Sequence, residues 1–247
     1  MAKKLKDYYD IDYLDSFSNK IINVTEAFDR KKFLELTKPR MNELDFKDRQ
    51  VFIAKALYET IDLNYDQTLL IFTKFLGPEL KGNSGAFSEG WWLWPVGTYV
   101  ELYGGKSFDS TVNFSKELTK RFTSEYCMRP IIKNYPEKIL EVLKAWSKDD
   151  NERVRRLSSE CIRIRLPWAK KLYTALEYFE DYYIILTNLK DDEDKYIQKS
   201  VANNLNDLYK EDPEKFNYIV DSWTEGSMSK AAKWIIKHGS RSYNKNN

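Results

Sequence analysis

The stretch Lys148-Asp149-Asp150-Asn151-Glu152-Arg153-Val154-Arg155-Arg156-Leu157 is written a second time, 43 residues on, as Asp191-Asp192-Glu193-Asp194-Lys195-Tyr196-Ile197-Gln198-Lys199-Ser200. In this register Val154 matches Ile197 and Asp149 matches Asp192. Recurrence at roughly 40–47 residues, each copy a turn leading into an amphipathic helix, is the spacing of HEAT-type helix pairs. The expected fold is therefore all-α: a HEAT-like helical-repeat solenoid of antiparallel helix pairs with a curved, concave surface. Beyond the shared turn the copies diverge in their polar residues, one ending Arg163-Ile164-Arg165-Leu166-Pro167-Trp168 and the other Val201-Ala202-Asn203-Asn204-Leu205-Asn206-Asp207. Divergence inside a repeat is where a function can be lodged.

The remaining pattern agrees with helices throughout. Apolar residues recur at helical spacing over 10–22, 26–36 (after the cap candidate Thr25), 46–61 and 66–75, and again over 110–132, 136–146, 151–165, 175–189, 194–210, 213–223 and 227–237. Pro136 and Pro213 fall at helix starts, where a missing N–H costs nothing. Leu76 to Gly85 is a Gly-rich break that reads as an exposed loop, and its spacing does not match a phosphate-cradling loop. Trp91, Trp92 and Trp94 stand within four residues; consecutive side chains cannot all face one way, so core packing is the plainer reading and a DNA-facing aromatic platform the lesser one. No pattern marks a strand or a domain boundary, which makes 1–240 a single domain and 241–247 a frayed polar tail.

With 247 residues the chain can bury a substantial core without metal or disulfide. Its two cysteines, Cys127 and Cys161, lie in helical patterns and read as reduced core thiols, not metal ligands. No run of 18 apolar residues exists, and Met1-Ala2-Lys3-Lys4-Leu5-Lys6-Asp7 has no apolar leader region, so a soluble cytoplasmic protein without a membrane partner is expected. Net charge is only +2, from 40 basic and 38 acidic residues. Its distribution says more: from Arg129 to Lys171 there are twelve Lys/Arg against six Asp/Glu, a basic zone that suits a phosphate-binding face or a solvated helix surface.

Three segments concentrate the chemistry. On the helix expected over 194–210, Ile197, Val201, Leu205 and Leu208 form the apolar stripe, leaving Lys199, Asn203, Asn206 and Asp207 on the other side. Asn and Asp are mediocre helix formers, so their density there asks for a reason, whether local amide bonding or a ligand. In the preceding copy the stripe Val154, Leu157, Cys161 and Ile164 leaves Arg155, Arg156, Arg163 and Arg165 toward solvent or a groove, where planar guanidinium forks suit phosphate. Glu160, at i+4 from Arg156, makes an ordinary surface ion pair an equally simple account of part of that cluster. Pro167 stops this helix and puts Trp168 on a turn, as a packing staple or as a surface for a base or cation. Upstream, Glu125 lies at the edge of an apolar face, between Arg121 and Arg129 at i−4 and i+4, where burial would raise its pKa and the arginines lower it.

Taken together, Leu118 to Pro130, Val154 to Ala169 with its Arg-Leu-Pro-Trp-Ala, and Lys190 to Lys210 with its Val-Ala-Asn-Asn-Leu-Asn-Asp resemble the AlkC branch of the AlkC/AlkD HEAT-like-repeat DNA alkylation repair glycosylases. The resemblance runs over essentially the whole chain. It implies Glu125 and Asp207 as the essential carboxylates, Trp168 as the aromatic at the lesion, and Arg156, Arg163, Arg165, Lys199 and Asn203 near the lesion or the DNA backbone; Arg155 joins these as a DNA-binding candidate from the basic cluster. The chain departs from the family pattern at Cys161 and Ile164, where Gly and Pro are expected, and at Gln198, where a basic residue is usual. It also stops soon after the repeats, so the C-terminal domain that some members append is expected to be missing.

The implied activity is hydrolysis of the N-glycosidic bond of cationic N3-alkylated bases, 3-methyladenine and 3-methylcytosine, in base excision repair. No metal or cofactor is required. The implied partner is double-stranded DNA containing alkylated bases, bound by a monomer in the cytoplasm at the bacterial nucleoid. Such a base is a good leaving group without protonation, so the lone His238 is not needed as a general acid. The resemblance further implies action by bending or opening the duplex, without fully extruding the base. Two other readings stay open on sequence: a non-catalytic HEAT-repeat protein for damaged or branched DNA, and a protein scaffold.

Overall fold

The computed structural model describes residues 3–82 and 87–246. Met1-Ala2, the Asn83–Gly85 part of the Gly-rich break and Asn247 of the tail lie outside the described residues. The chain divides into two compact units, Met1–Cys127 and Met128–Asn247. Among the described residues no strand forms; an isolated antiparallel bridge pairs Phe28 with Ile61.

The first unit holds α1 (Ile11–Ile22), α2 (Arg30–Thr37), α3 (Phe46–Thr60), α4 (Tyr65–Phe75), α5 (Trp94–Tyr103) and α6 (Phe108–Thr119). Short polar side chains open its helices by accepting otherwise orphaned N–H groups. Asp10 caps α1 through the N–H of Tyr13, and Asn64 closes a capping box with Gln67 on α4. Helix α2 begins after Asp29, not Thr25: Asp29 accepts from Lys32 N–H, whereas Thr25 accepts only from Ala27 in the preceding turn. The tryptophans are structural. The Trp91 ring meets Tyr9 edge-on at 5.2 Å, Trp94 meets Phe46 at 4.8 Å, and Tyr9 and Tyr13 hydroxyls donate to the carbonyls of Trp91 and Trp92 at 2.6 and 2.8 Å. Such paired rings add about 0.5–1.5 kcal/mol each beyond their burial.

The helix expected over 110–132 is broken. After α6 the residues Phe122, Thr123 and Ser124 are all buried, which no single helix face allows, and Ser124 Oγ donates to Ser115 O at 2.7 Å. The chain re-enters a helix as α7 (Glu125–Asn134), whose first residue is Glu125.

The second unit continues with α8 (Pro136–Trp146), α9 (Glu152–Glu160), α10 (Thr174–Glu177), α11 (Phe179–Leu189), α12 (Lys195–Tyr209), α13 (Pro213–Thr224), α14 (Lys230–Gly239) and α15 (Tyr243–Asn246). Its core is the aliphatic stripes of these helices, Leu143, Val154, Leu157, Ile185, Leu186, Ile197, Val201, Leu205 and Ile235 among them, all fully buried; each contributes roughly 1.5–3 kcal/mol. Helix α12 is central, packed against α9, α13 and α14. Gly239 at the end of α14 makes the last approach possible: a Cβ there would lie 2.7 Å from Leu205 Cβ.

Residues 241–246 differ from the frayed tail that their composition suggests. Ser242 N–H donates to Asn206 Oδ1 at 3.2 Å, and the Tyr243 ring sits 5.6 Å from Tyr209 and 6.1 Å from Phe216. A tyrosine that finds two aromatic neighbours gives a polar segment its anchor.

Candidate functional site

The 43-residue repeat is visible in hydrogen bonds. Asp149 Oδ1 accepts from Asn151 N–H at 2.9 Å and Asp192 Oδ1 from Asp194 N–H at 3.0 Å; Asn151 and Asp194 then cap α9 and α12. One turn into each helix the matched residues Arg155 and Gln198 reach back to matched carbonyls, Asp149 O at 2.9 Å and Asp192 O at 2.7 Å. Arg155 also holds Asp192 at 2.8 Å, stitching one copy to the next. Its guanidinium is thereby engaged by the repeat turn, and Gln198 performs the same task without charge.

Beyond this shared frame the copies part. Helix α9 ends at Glu160, five residues short of the expected Arg165, and the segment 161–173 leaves the helical path. Ile162, Ile164 and Leu166 are all buried. Residues two apart are rotated about 200° on a helix, so a continuing helix cannot bury all three and the chain instead runs through successive turns. This path swings Arg163 inward. Arg163 is 6% exposed, its Nε donates to Asp207 Oδ2 at 3.0 Å and its Nη1 to Glu160 Oε1 at 2.8 Å. Arg156, 8% exposed, approaches Glu160 Oε1 at 3.5 Å and stacks over Tyr196 with 4.5 Å from the guanidinium carbon to the ring centroid. Ser200 completes the cluster by donating to Glu160 Oε2 at 2.7 Å.

Several expectations are corrected by this arrangement. Arg156 and Arg163 are buried and do not reach toward solvent or a groove, and on α12 Asn206 and Asp207 lie opposite the apolar stripe, as expected, but are buried there. The cause is that α9 and α14 cover faces of α12 that a lone amphipathic helix would expose. Glu160, read from sequence as half of a surface pair, is the buried hub of the cluster; its match to Asn203 in the repeat register, a carboxylate against an amide, is the signal that would have marked it.

The two buried carboxylates are tuned in opposite directions. At Asp207 burial is the largest influence and raises the pKa, outweighing the charge and hydrogen bond of Arg163 and the N–H of Arg165. At Glu160 burial also raises, but the charges of Arg156 and Arg163 and the hydrogen bonds of Ser200 and Arg163 win, so the carboxyl is held below its usual range. The fully buried Tyr182 hydroxyl is pushed far up by burial and then by the charge of Asp207.

Trp168 is 61% exposed and has φ 64°, the one non-glycine residue with positive φ among those described. A bulky residue in the left-handed region costs on the order of 1–2 kcal/mol, and such strain persists only where surroundings impose it. Here Leu172 N–H donates to Ile164 O at 3.1 Å, and Arg129 donates to the carbonyls of Arg163 at 2.8 Å and of Lys170. The loop that presents Trp168 is thus clamped on both flanks.

The other expected residues are placed as follows. Arg165 pairs with Glu211, which also holds Lys171 at 2.8 Å. Lys199 is exposed and Asn203 partly so; Asn203 Oδ1 accepts from Arg241 at 3.0 Å. In the first unit Glu125 is buried and accepts from Thr123 Oγ1, while Arg121 turns away to Glu117 at 2.6 Å. A carboxylate in the first turn of a helix is favoured by the helix dipole.

Comparison with known proteins shows the family and the fold. Residues 119–242, which include Glu125, Arg156, Glu160, Arg163, Trp168 and Asp207, match the model of the family described as DNA alkylation repair enzyme. The YhaZ protein of Bacillus subtilis (strain 168) is 34% identical over 238 residues, covering 96% of this chain and 64% of that protein. The solved structure of Pseudomonas fluorescens alkylpurine DNA glycosylase AlkC, bound to DNA containing an abasic site analog, superposes with a TM-score of 0.85 at 32% identity, covering 99% of this chain and 66% of that one. The chain thus spans just under two thirds of the length of either relative. The all-helical repeat fold expected from the 43-residue period is the fold of that structure. By family match, sequence and fold, the chain belongs to the DNA alkylation repair enzymes, in their AlkC-type branch.

Proposed function

We propose that this protein is a DNA glycosylase that removes cationic N3-alkylated bases, 3-methyladenine first and 3-methylcytosine second, from double-stranded DNA. The observation that carries the reading is the buried Asp207 carboxylate fixed by Arg163 at 3.0 Å within a family of alkylation repair enzymes. Cleavage of the bond between C1′ and the base nitrogen sends the electron pair to the base, which departs neutral because it began as a cation. Positive charge then builds on the sugar. A pre-oriented carboxylate beside that charge stabilises the transition state, with single groups of this kind worth about 10²–10³ in rate. Water adds to C1′, its proton passes to carboxylate or solvent, and an abasic site remains.

In this reading Asp207 supplies the negative charge and Arg163 fixes its orientation. Trp168 offers its exposed ring to the cationic nucleotide, a contact worth about 0.5–2 kcal/mol. Glu125 is the second essential carboxylate, on the strength of the family resemblance. Residues 1–240 serve as one repair domain, acting as a cytoplasmic monomer on the nucleoid; among the described residues no helix is long and apolar enough to cross a membrane. Incubation with methylated duplex DNA, scoring free base, tests the proposal. Release of 3-methyladenine supports it, and salt-sensitive DNA binding without release favours a non-catalytic damage binder instead.

A further inference from the structure

All four arginines of the basic cluster have other commitments. Arg155 is held by Asp192, Arg165 by Glu211, and Arg156 and Arg163 are buried around Glu160. Phosphate binding therefore needs cations elsewhere, and residues 241–246 supply one.

Arg241 is exposed, and its charge has no carboxylate at ion-pair distance among the described residues. Yet it is not loose. Its Nη1 donates to His238 O at 2.9 Å and its Nη2 to Asn203 Oδ1 at 3.0 Å, both neutral acceptors. A guanidinium has five N–H donors, so two bonds that fix its plane leave others for an anion. The close approach of α14 to α12 at Gly239, the Ser242–Asn206 hydrogen bond and the Tyr243 aromatic contacts hold the segment in place. Asn203 accepts through Oδ1 and retains its amide N–H groups as donors. Lys199 lies one turn before Asn203 at i−4, on the same face, exposed and without an ion-pair partner among the described residues.

We propose that Arg241 joins Lys199 and Asn203, which the family resemblance already implies near the DNA, in a phosphodiester-binding subsite that seats the DNA backbone beside the Asp207–Arg163 pair. The placement is supported electrostatically. Partial withdrawal from water is the main influence on Arg241, lowering its pKa, and the charges of Asp207 and Arg163 act on it next, in opposite senses. A bound phosphate supplies the counter-charge that the protein does not, and Arg241 grips it in a planar fork where a lysine would act as a point charge. The subsite rests on the reading that the protein acts on DNA.

The test is the salt dependence of binding to a labelled duplex carrying an abasic-site analogue, using the full chain, compared for wild type, R241A, R241K and K199A. Each phosphate contact contributes about 0.9 to the slope of log K against log salt. R241A and K199A are each expected to flatten the slope by about that amount, so the affinity lost by R241A shrinks about threefold between 50 and 200 mM salt. R241K, which keeps the charge, is expected to retain the wild-type slope. If R241A fails to hold its fold by circular dichroism, R241Q carries the same expectation. An unchanged slope in R241A or R241Q, whatever the affinity, overturns the subsite. Wild type without salt-dependent binding overturns the DNA reading itself, which keeps the two failures apart.

Discussion

Arg163 Nε and Asp207 Oδ2 stand 3.0 Å apart, joining the loop that follows α9 to the last turn of α12. The two residues sit at unmatched positions of the repeat, Ile164 standing where Asp207 does and Asn206 where Arg163 does. The pair is thus a product of divergence between copies, and several consequences follow from its burial.

Arg163 is the chief force opposing the upward push that burial exerts on Asp207. In the proposed mechanism Asp207 is ionised, so activity should fall on acidification through a pKa above the ordinary aspartate range. Replacing Arg163 with Gln removes the opposing charge, raises that pKa further, and should move the acid limb of single-turnover base release to higher pH. An acid limb that stays in place in R163Q would show that Asp207 does not govern it.

Glu160 predicts stability more than rate. Removing its charge leaves Arg156 and Arg163 buried with one fewer carboxylate, a change of roughly 3–5 kcal/mol for buried pairs; urea denaturation of E160Q should show a loss on that scale. The sign with pH is set by its lowered folded-state pKa. Its contribution is complete above the unfolded value near 4.5 and is lost as pH falls through the folded value. E160Q should therefore lose less stability than wild type on acidification, and an equal loss in both would count against the assignment.

Trp168 should trade stability against function. W168A and W168G both delete the ring, but only glycine relaxes a φ of 64°. W168G should be more stable than W168A by roughly 1 kcal/mol, with base release impaired in both. Equal melting temperatures would argue that the left-handed backbone stores no strain.

Much of this was legible in the sequence, and for identifiable reasons. The repeat period follows from residues that each make local contacts, Asp149 with Asn151 and Asp192 with Asp194, so its reading survives intact. The identity of Asp207, Arg163 and Trp168 as unusual residues was legible because packing alone does not ask for them. Their orientation was not. Helical periodicity separates apolar from polar faces, but it cannot say that the polar face of α12 is covered by α9 and α14, or that Arg156 and Arg163 turn inward to Glu160. The end of α9 was misplaced because Cys161 and Ile164 continue a helical spacing that the burial of Ile162 and Leu166 overrides. The place of Arg241 is not legible because a polar terminal segment gives no local sign of the aromatic anchor that Tyr243 finds on α12 and α13.

The most direct measurement is release of free 3-methyladenine from methylated duplex DNA by wild type, E125Q, D207N and W168A. Wild type should release the base, D207N should be slower by about 10²–10³-fold, E125Q should also be strongly impaired, and W168A should lose about tenfold, within the range of a cation–π contact. No release by wild type, or full activity in both carboxylate variants, would contradict the account.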